Sequence, residues 1–323
     1  MELLFIVLCI MSSIAIGWSI GANDAANSIG TAVGSKAIKL VQGIILVSVF
    51  GFLGAYFQGS YVTATIGKGI VAMNKLDKHV AMALAICSCF AGCAWVALAT
   101  YWKMPISTSH SIVGAVAGGG LAIGVPVAWK MLGGIFMCWI LTPLGGAVMG
   151  FLTYWIMKNT LQRAIPEKAI NKVMSILVVL SGCYMAFTWG ANDVANATGV
   201  VAGAGVLSPK MAVIIGGIAI VFGIVTWGHK VIETIGTSMV SLLPIMAFSA
   251  QLASALNVQV YTLLGIPVST SHSIVGAVFG VGLVRGIKTL NVPIVKDIVV
   301  CWLATPFVSG ILCFLLLKFI PWF

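Results

Sequence analysis

The chain has 323 residues, 60% hydrophobic and only 7% charged, with a mean hydropathy of +1.13. A soluble domain carries about 25% charged residues, so this composition excludes a soluble enzyme or binding module and predicts an integral membrane protein. The net charge of +10 comes from basic residues scattered singly over short polar stretches, which reads as positive-inside topology and not as a nucleic-acid surface.

The first apolar stretch, 3–33, runs straight into Gly21-Ala22-Asn23-Asp24-Ala25-Ala26-Asn27-Ser28-Ile29-Gly30-Thr31 and reads as a span, not a cleaved leader. Further crossings are predicted at 40–58, 79–102, 106–124 and 129–157, each near the roughly 20 residues that a bilayer requires. Between them, Val62–Met73 is too short and polar to cross alone and reads as a partial or re-entrant helix. The fourth crossing opens on Pro105-Ile106-Ser107-Thr108-Ser109-His110-Ser111. Lys158–Lys172, with Pro166 and Glu167, is the one obvious linker.

Beyond the linker the chain repeats itself. Gly190-Ala191-Asn192-Asp193-Val194-Ala195-Asn196-Ala197-Thr198-Gly199-Val200 matches the first string at seven of eleven positions, offset by 169. Pro267-Val268-Ser269-Thr270-Ser271-His272-Ser273 repeats the second with Val268 for Ile106, and Cys138-Trp139 with Thr142-Pro143 returns as Cys301-Trp302 with Thr305-Pro306. The reading is an all-α polytopic membrane protein: a first transmembrane repeat over 1–157, a cytoplasmic linker over 158–172 and a second repeat over 173–323. Paired polar strings in matching positions point to a secondary transporter with discontinuous or re-entrant helices around a mid-membrane site.

Five crossings per half put the linker opposite both termini, with eleven of seventeen basic residues on the linker side. If 106–124 dips in and returns, each half has four crossings and the tally becomes nine against eight. Only an odd count yields a charge bias, so the expectation is inverted repeats, both termini outside, in the plasma membrane.

Of seven acidic residues, Asp24, Asp193 and Glu233 fall at or near membrane depth, where a carboxylate needs a partner, a cavity or a cation. Asp24 with Asn27, and Asp193 with Asn196, share helix faces at three-residue spacing. Carboxylate and amide oxygens suit a coupling cation, sodium, and a buried carboxylate also suits a proton; with Glu233 these form the expected cation set. Ser107, Thr108, Ser109 and Ser111 place hydroxyl donors around a proline-led helix start, whose partial positive charge binds oxyanions. Ser269, Thr270, Ser271 and Ser273 repeat them, and Asn23 and Asn192 are read beside them as substrate ligands. Hydroxyls bonded back to helix carbonyls would explain one copy better than two. An incoming anion meets three carboxylates and no arginine or lysine within either string, so a cation has to accompany it.

His110 and His272 lack a Ser-His-Asp order or an HExxH motif and are read as packed residues, not as an enzyme's. The eight cysteines read as small packing residues, and no disulfide, metal or organic cofactor is inferred from them.

At these strings the chain resembles the PiT family of inorganic phosphate transporters, through both halves and most of its length. The resemblance implies phosphate uptake driven by sodium or protons, inverted repeats, external termini and alternating access. The family's signature positions match Asn23, Asp24, Asn27, Asn192, Asp193 and Asn196, and its Ser/Thr segments match Ser107–Ser111 and Ser269–Ser273. The family often has an acidic residue before both Thr-Ile pairs; here Glu233 precedes Thr234 but Ala64 precedes Thr65. Sulfate is the runner-up substrate, and an anion channel is the alternative from another class.

Overall fold

The computed structural model describes residues 2–102, 104, 106–229, 232, 243–285 and 292–320. The first half holds α1 (Glu2–Gly34), α2 (Leu40–Gln58), α3 (Ser60–Ala64), α4 (Lys78–Tyr101), α5 (Thr108–Ala122) and α6 (Trp129–Asn159). After the short α7 (Leu161–Ala164), the second half holds α8 (Glu167–Gly203), α9 (Pro209–Gly223), α10 (Pro244–Leu263), α11 (Thr270–Arg285) and α12 (Val292–Phe319). Helix therefore runs into both ends of the segment read as a linker, and α3 continues as a π turn over Thr65–Gly69. The matching segment 231–243, read from the sequence as a second partial or re-entrant helix and carrying Glu233, lies outside the described residues except for Ile232 and Leu243.

Local chemistry sets the helix ends. Asp77 caps α4 by accepting from the His79 backbone N–H at 2.9 Å, and Ser208 caps α9 with Pro209 in its first turn.

The helix α1 runs antiparallel to α8. Ser13 Oγ donates to the Ala197 carbonyl at one end, and Gly182 lies against Ile29 at the other. These pairs put Gly21 and Gly190, equivalent in the two repeats, at one level, which is the midplane of the molecule. Glu2 is then about 28 Å from that plane at 1.5 Å per residue, well beyond the roughly 15 Å half-thickness of a bilayer core.

The fourth helix, in contrast, runs parallel to α1. Lys78 pairs with Glu2 at 2.5 Å, Cys93 Sγ meets the Ala15 carbonyl, and Thr100 receives Asn23 Nδ2 at 2.9 Å. So α4 begins beside Glu2 and ends near the midplane. The fifth then turns back: Ser111 Oγ reaches the Gly92 carbonyl at 3.5 Å and Gly119 lies against Leu84. At 15 residues, α5 is about 22 Å long. The second half repeats this, with Gln251 beside Ser181, Thr262 beside Asn192 and Ser273 turned back on Ser254.

This corrects the expected five crossings. Neither 79–102 nor 106–124 crosses; together they form one re-entrant hairpin, and 106–124 is only its returning arm. Among the described residues three crossings remain in each half: α1, α2 and α6, then α8, α9 and α12. Among the described residues seven helices have the length and hydropathy to cross; α4 is the one of these that stops inside. Three is odd, so the repeats are inverted as expected.

Each hairpin leans on the other repeat. Gly114 and Gly118 of α5 lie on Pro306 and Gly310 of α12, so close that a Cβ on either glycine would sit 2.2 Å from a carbonyl oxygen. Gly276 and Gly280 of α11 meet Pro143 and Ala147 of α6 in the same way, at 2.1 and 1.9 Å.

Candidate functional site

Both hairpin tips end at the midplane, against the polar strings of α1 and α8. Asn23 holds the first tip: its Nδ2 donates to Thr100 Oγ1 at 2.9 Å and to the Met104 carbonyl at 3.2 Å, while its Oδ1 accepts from the Ile106 N–H at 3.4 Å. Asn192 does the same for the second, through Thr262 at 2.9 Å, Ile266 at 3.2 Å and the Val268 N–H at 3.2 Å. Both asparagines are buried. In this structure the side-chain amides of Asn23 and Asn192 are engaged by the chain itself and pin the non-helical tips.

The tips also lock each other. Ser109 Oγ donates to the Val268 carbonyl at 2.9 Å, and Ser271 Oγ donates to the Ile106 carbonyl at 3.1 Å. Around this crossing lie the two carboxylates, both buried. Asp24 Oδ2 accepts from Thr108 Oγ1 at 2.8 Å and its Oδ1 from Asn27 Nδ2 at 3.3 Å; Ser271 Oγ, whose single proton lies between this oxygen and the nearer Ile106 carbonyl, is 3.4 Å from the same Oδ1. Asp193 Oδ2 accepts from Thr270 Oγ1 at 3.1 Å, and its Oδ1 from Asn196 Nδ2 at 3.3 Å. The two amides reach across the repeats: Asn27 Nδ2 donates to Ser271 Oγ at 2.8 Å, and Asn196 Nδ2 to Ser109 Oγ at 3.0 Å. Asn196 Oδ1 is buried and has no hydrogen-bond partner.

Eight site residues thus converge: Asp24, Asn27, Thr108, Ser109, Asp193, Asn196, Thr270 and Ser271. The remaining hydroxyls of the two Ser/Thr strings serve elsewhere. Ser107 and Ser269 cap their helices, accepting from the N–H of His110 and His272 at 3.2 Å each. Ser111 faces Ser309 of α12 at 2.8 Å, and Ser273 receives Asn257 Nδ2 at 2.9 Å. An oxyanion reaching the tips would meet Thr108, Ser109, Thr270 and Ser271 first. Thr100, Thr262 and the tip carbonyls escaped the sequence reading, because a threonine in an apolar helix carries no signal until its partner is known.

No lysine or arginine hydrogen-bonds or pairs with any of these eight residues among the described contacts. The site can therefore supply hydroxyl and amide donors to an anion and carboxylate and amide oxygens to a cation, and among the described contacts no lysine or arginine offsets the charge of an anion.

Residues 20–313 match the family model described as the phosphate transporter family. A protein of Pyrococcus furiosus, provisionally named a phosphate permease, is 33% identical over 393 aligned positions that cover 97% of this chain and 95% of its own. The chloroplastic inorganic phosphate transporter 2-1 of Arabidopsis thaliana is 29% identical over 395 positions, covering 89% of this chain and 67% of its own. A solved structure described as the sodium-dependent phosphate transporter superposes with a TM-score of 0.89 at 30% identity, covering 97% of this chain and 98% of that one. Family match, full-length relatives and shared fold agree: the chain belongs to the phosphate transporter family, whose members are transporters and not enzymes.

Proposed function

We propose that this protein imports inorganic phosphate across the plasma membrane by symport with sodium, in an alternating-access cycle, with both termini outside. One observation carries the coupling. The hydroxyls best placed to hold an oxyanion, Thr108 and Thr270, are already donating to Asp24 and Asp193, at 2.8 and 3.1 Å. A hydroxyl has a single proton to donate. To bind phosphate, Thr108 must release Asp24, and a buried carboxylate stripped of a donor needs a new partner. A cation bound at the carboxylate frees the hydroxyl for the anion, and the anion offsets the cation's charge. Each therefore favours the other, which is what symport requires.

Asp24, Asn27, Asp193 and Asn196 form the cation side in this reading; the free Asn196 Oδ1 supports it. Thr108, Ser109, Thr270 and Ser271 form the anion side, each pair at a helix start whose dipole favours negative charge. Sodium over a proton rests on the hard-oxygen donor set and on the structural neighbour being described as sodium-dependent. Glu233, outside the described residues, completes the cation set proposed from the sequence.

Labelled phosphate uptake into proteoliposomes, with sodium and proton gradients imposed separately, tests the reading. Accumulation that follows the inward sodium gradient supports it. Uptake that persists with both gradients collapsed would sink the coupling argument, and uptake that follows protons alone would replace the ion.

A further inference from the structure

The Cys-Trp-x-x-Thr-Pro echo of α6 and α12 has no part in the central site, yet the structure brings its two copies together. Pro143 and Pro306 lie inside helices and have no N–H, which leaves the carbonyls four residues earlier, Trp139 and Trp302, without their helical donor. The histidines supply it crosswise: His272 Nδ1 lies 3.2 Å from the Trp139 oxygen, and His110 Nδ1 lies 3.2 Å from the Trp302 oxygen. A carbonyl only accepts, so both Nδ1 atoms carry the proton and each neutral ring has a bare lone pair on Nε2. The rings lie in a row, His110 stacked on Trp139 and His272 tilted against Trp302 at 3.6 Å each, with the two histidines edge to face at 4.5 Å.

Four polar atoms of this cluster have no hydrogen-bond partner: Nε2 of His110 and His272, and Nε1 of Trp139 and Trp302. The residues are 3%, 4%, 7% and 7% exposed, so bulk water does not reach them freely. The four side chains border a cavity of about 800 Å³ between α5, α6 and α12, with these nitrogen atoms themselves covered. The rest of its wall is apolar, including Phe136, Leu303, Phe307 and Ile311, side chains that are 43–71% exposed and face the bilayer. The cluster joins equivalent residues of the inverted repeats, so it lies near the midplane.

We propose that this cavity binds a neutral, membrane-soluble amphiphile, head inward: a turn of the rings uncovers the unpartnered nitrogens, its hydroxyl donates to a histidine Nε2 and accepts from a tryptophan Nε1–H, and its apolar body fills the cavity. Two lone pairs beside two N–H donors match a group that both donates and accepts. They suit neither a cation, which the indole N–H groups would oppose, nor an anion, which the lone pairs would. An apolar wall of this size fits a lipid-like body better than a chain of waters, each of which needs several polar partners.

The test uses the full-length protein in nanodiscs and hexadecanol carrying a chain diazirine, with labelled peptides mapped by mass spectrometry. Labelling should concentrate on α5, α6 and α12 and fall at least fivefold in Leu303→Trp, which fills the cavity from the lipid side, and in Trp302→Phe. Unlabelled hexadecanol or a ring-headed quinol should compete, and which competes better tells a chain source from a ring source. Labelling spread evenly over the lipid-facing helices would overturn the site. Equal competition by hexadecane would overturn the role of the hydroxyl, and so would unchanged labelling in Trp302→Phe. Phosphate uptake by Leu303→Trp should match the wild type, because Leu303 does not touch the central site.

Discussion

A threonine hydroxyl that donates to a buried carboxylate makes a residue-scale prediction. Thr108→Val removes the donor to Asp24 Oδ2 and leaves the shape almost unchanged. Sodium should bind the phosphate-free variant at least as well as the wild type, since its competitor is gone. Phosphate should bind about 10- to 100-fold more weakly, in line with the roughly 1.5–3 kcal/mol of a hydrogen bond to a charged group, and sodium should no longer sharpen its affinity. Calorimetric titration of each ion with and without the other decides this; phosphate affinity equal to wild type would remove Thr108 from the anion side. The contact between Asn196 and Ser109, 3.0 Å across the two repeats, makes a second. Ser109→Ala and Asn196→Ala should be non-additive, with a coupling energy in the 0.5–3 kcal/mol range usual for bonded neighbours, read from thermal unfolding in detergent.

At the scale of elements, the packing of each hairpin on the opposite repeat rests on absent side chains. A Cβ at Gly118 would meet the Gly310 backbone at 2.2 Å, and backbone has no rotamer by which to retreat. Gly118→Ala should therefore push α5 from α12 and destabilise by about 1–3 kcal/mol, the usual range for overpacking. Gly133→Ala in α6 is the matched control: nothing lies within 4 Å of the added carbon. It should be neutral or gain up to about 1 kcal/mol from helix propensity. Equal unfolding temperatures for the two variants would show that the helices slide apart freely.

The whole molecule makes a topological prediction. In a background lacking the eight native cysteines, Lys75→Cys, Lys210→Cys and Lys318→Cys should react with an impermeant maleimide from one side, and Lys36→Cys and Arg163→Cys from the other. Met104→Cys is the discriminating position. Five crossings per half would place it in water on the linker side, whereas here its carbonyl accepts from Asn23 at the midplane. It should resist labelling from both sides until transport opens the tip. Rapid labelling from the linker side alone would restore the five-crossing topology.

Much of this was legible in the residues alone. Composition requires a membrane, because 7% charged residues cannot clothe a soluble surface. The doubled Asn-Asp and Ser-Thr strings announced two equivalent halves around a polar site, because buried polar groups are too costly to duplicate without use. An odd number of crossings per half, and hence inversion, also followed from the charge bias. The path of 79–102 was not legible: its length and hydropathy permit a crossing, and what stops it midway is Asn23 taking the Met104 carbonyl and Ile106 N–H, 81 and 83 residues distant in sequence. The division of labour within Ser107–Ser111 was equally hidden. Neighbouring hydroxyls on one helical turn point to different partners, and only the helices packed around them decide which one caps, which one braces and which one faces the carboxylate. Spacing and residue type are properties of the chain, but the partner of each polar atom belongs to the fold.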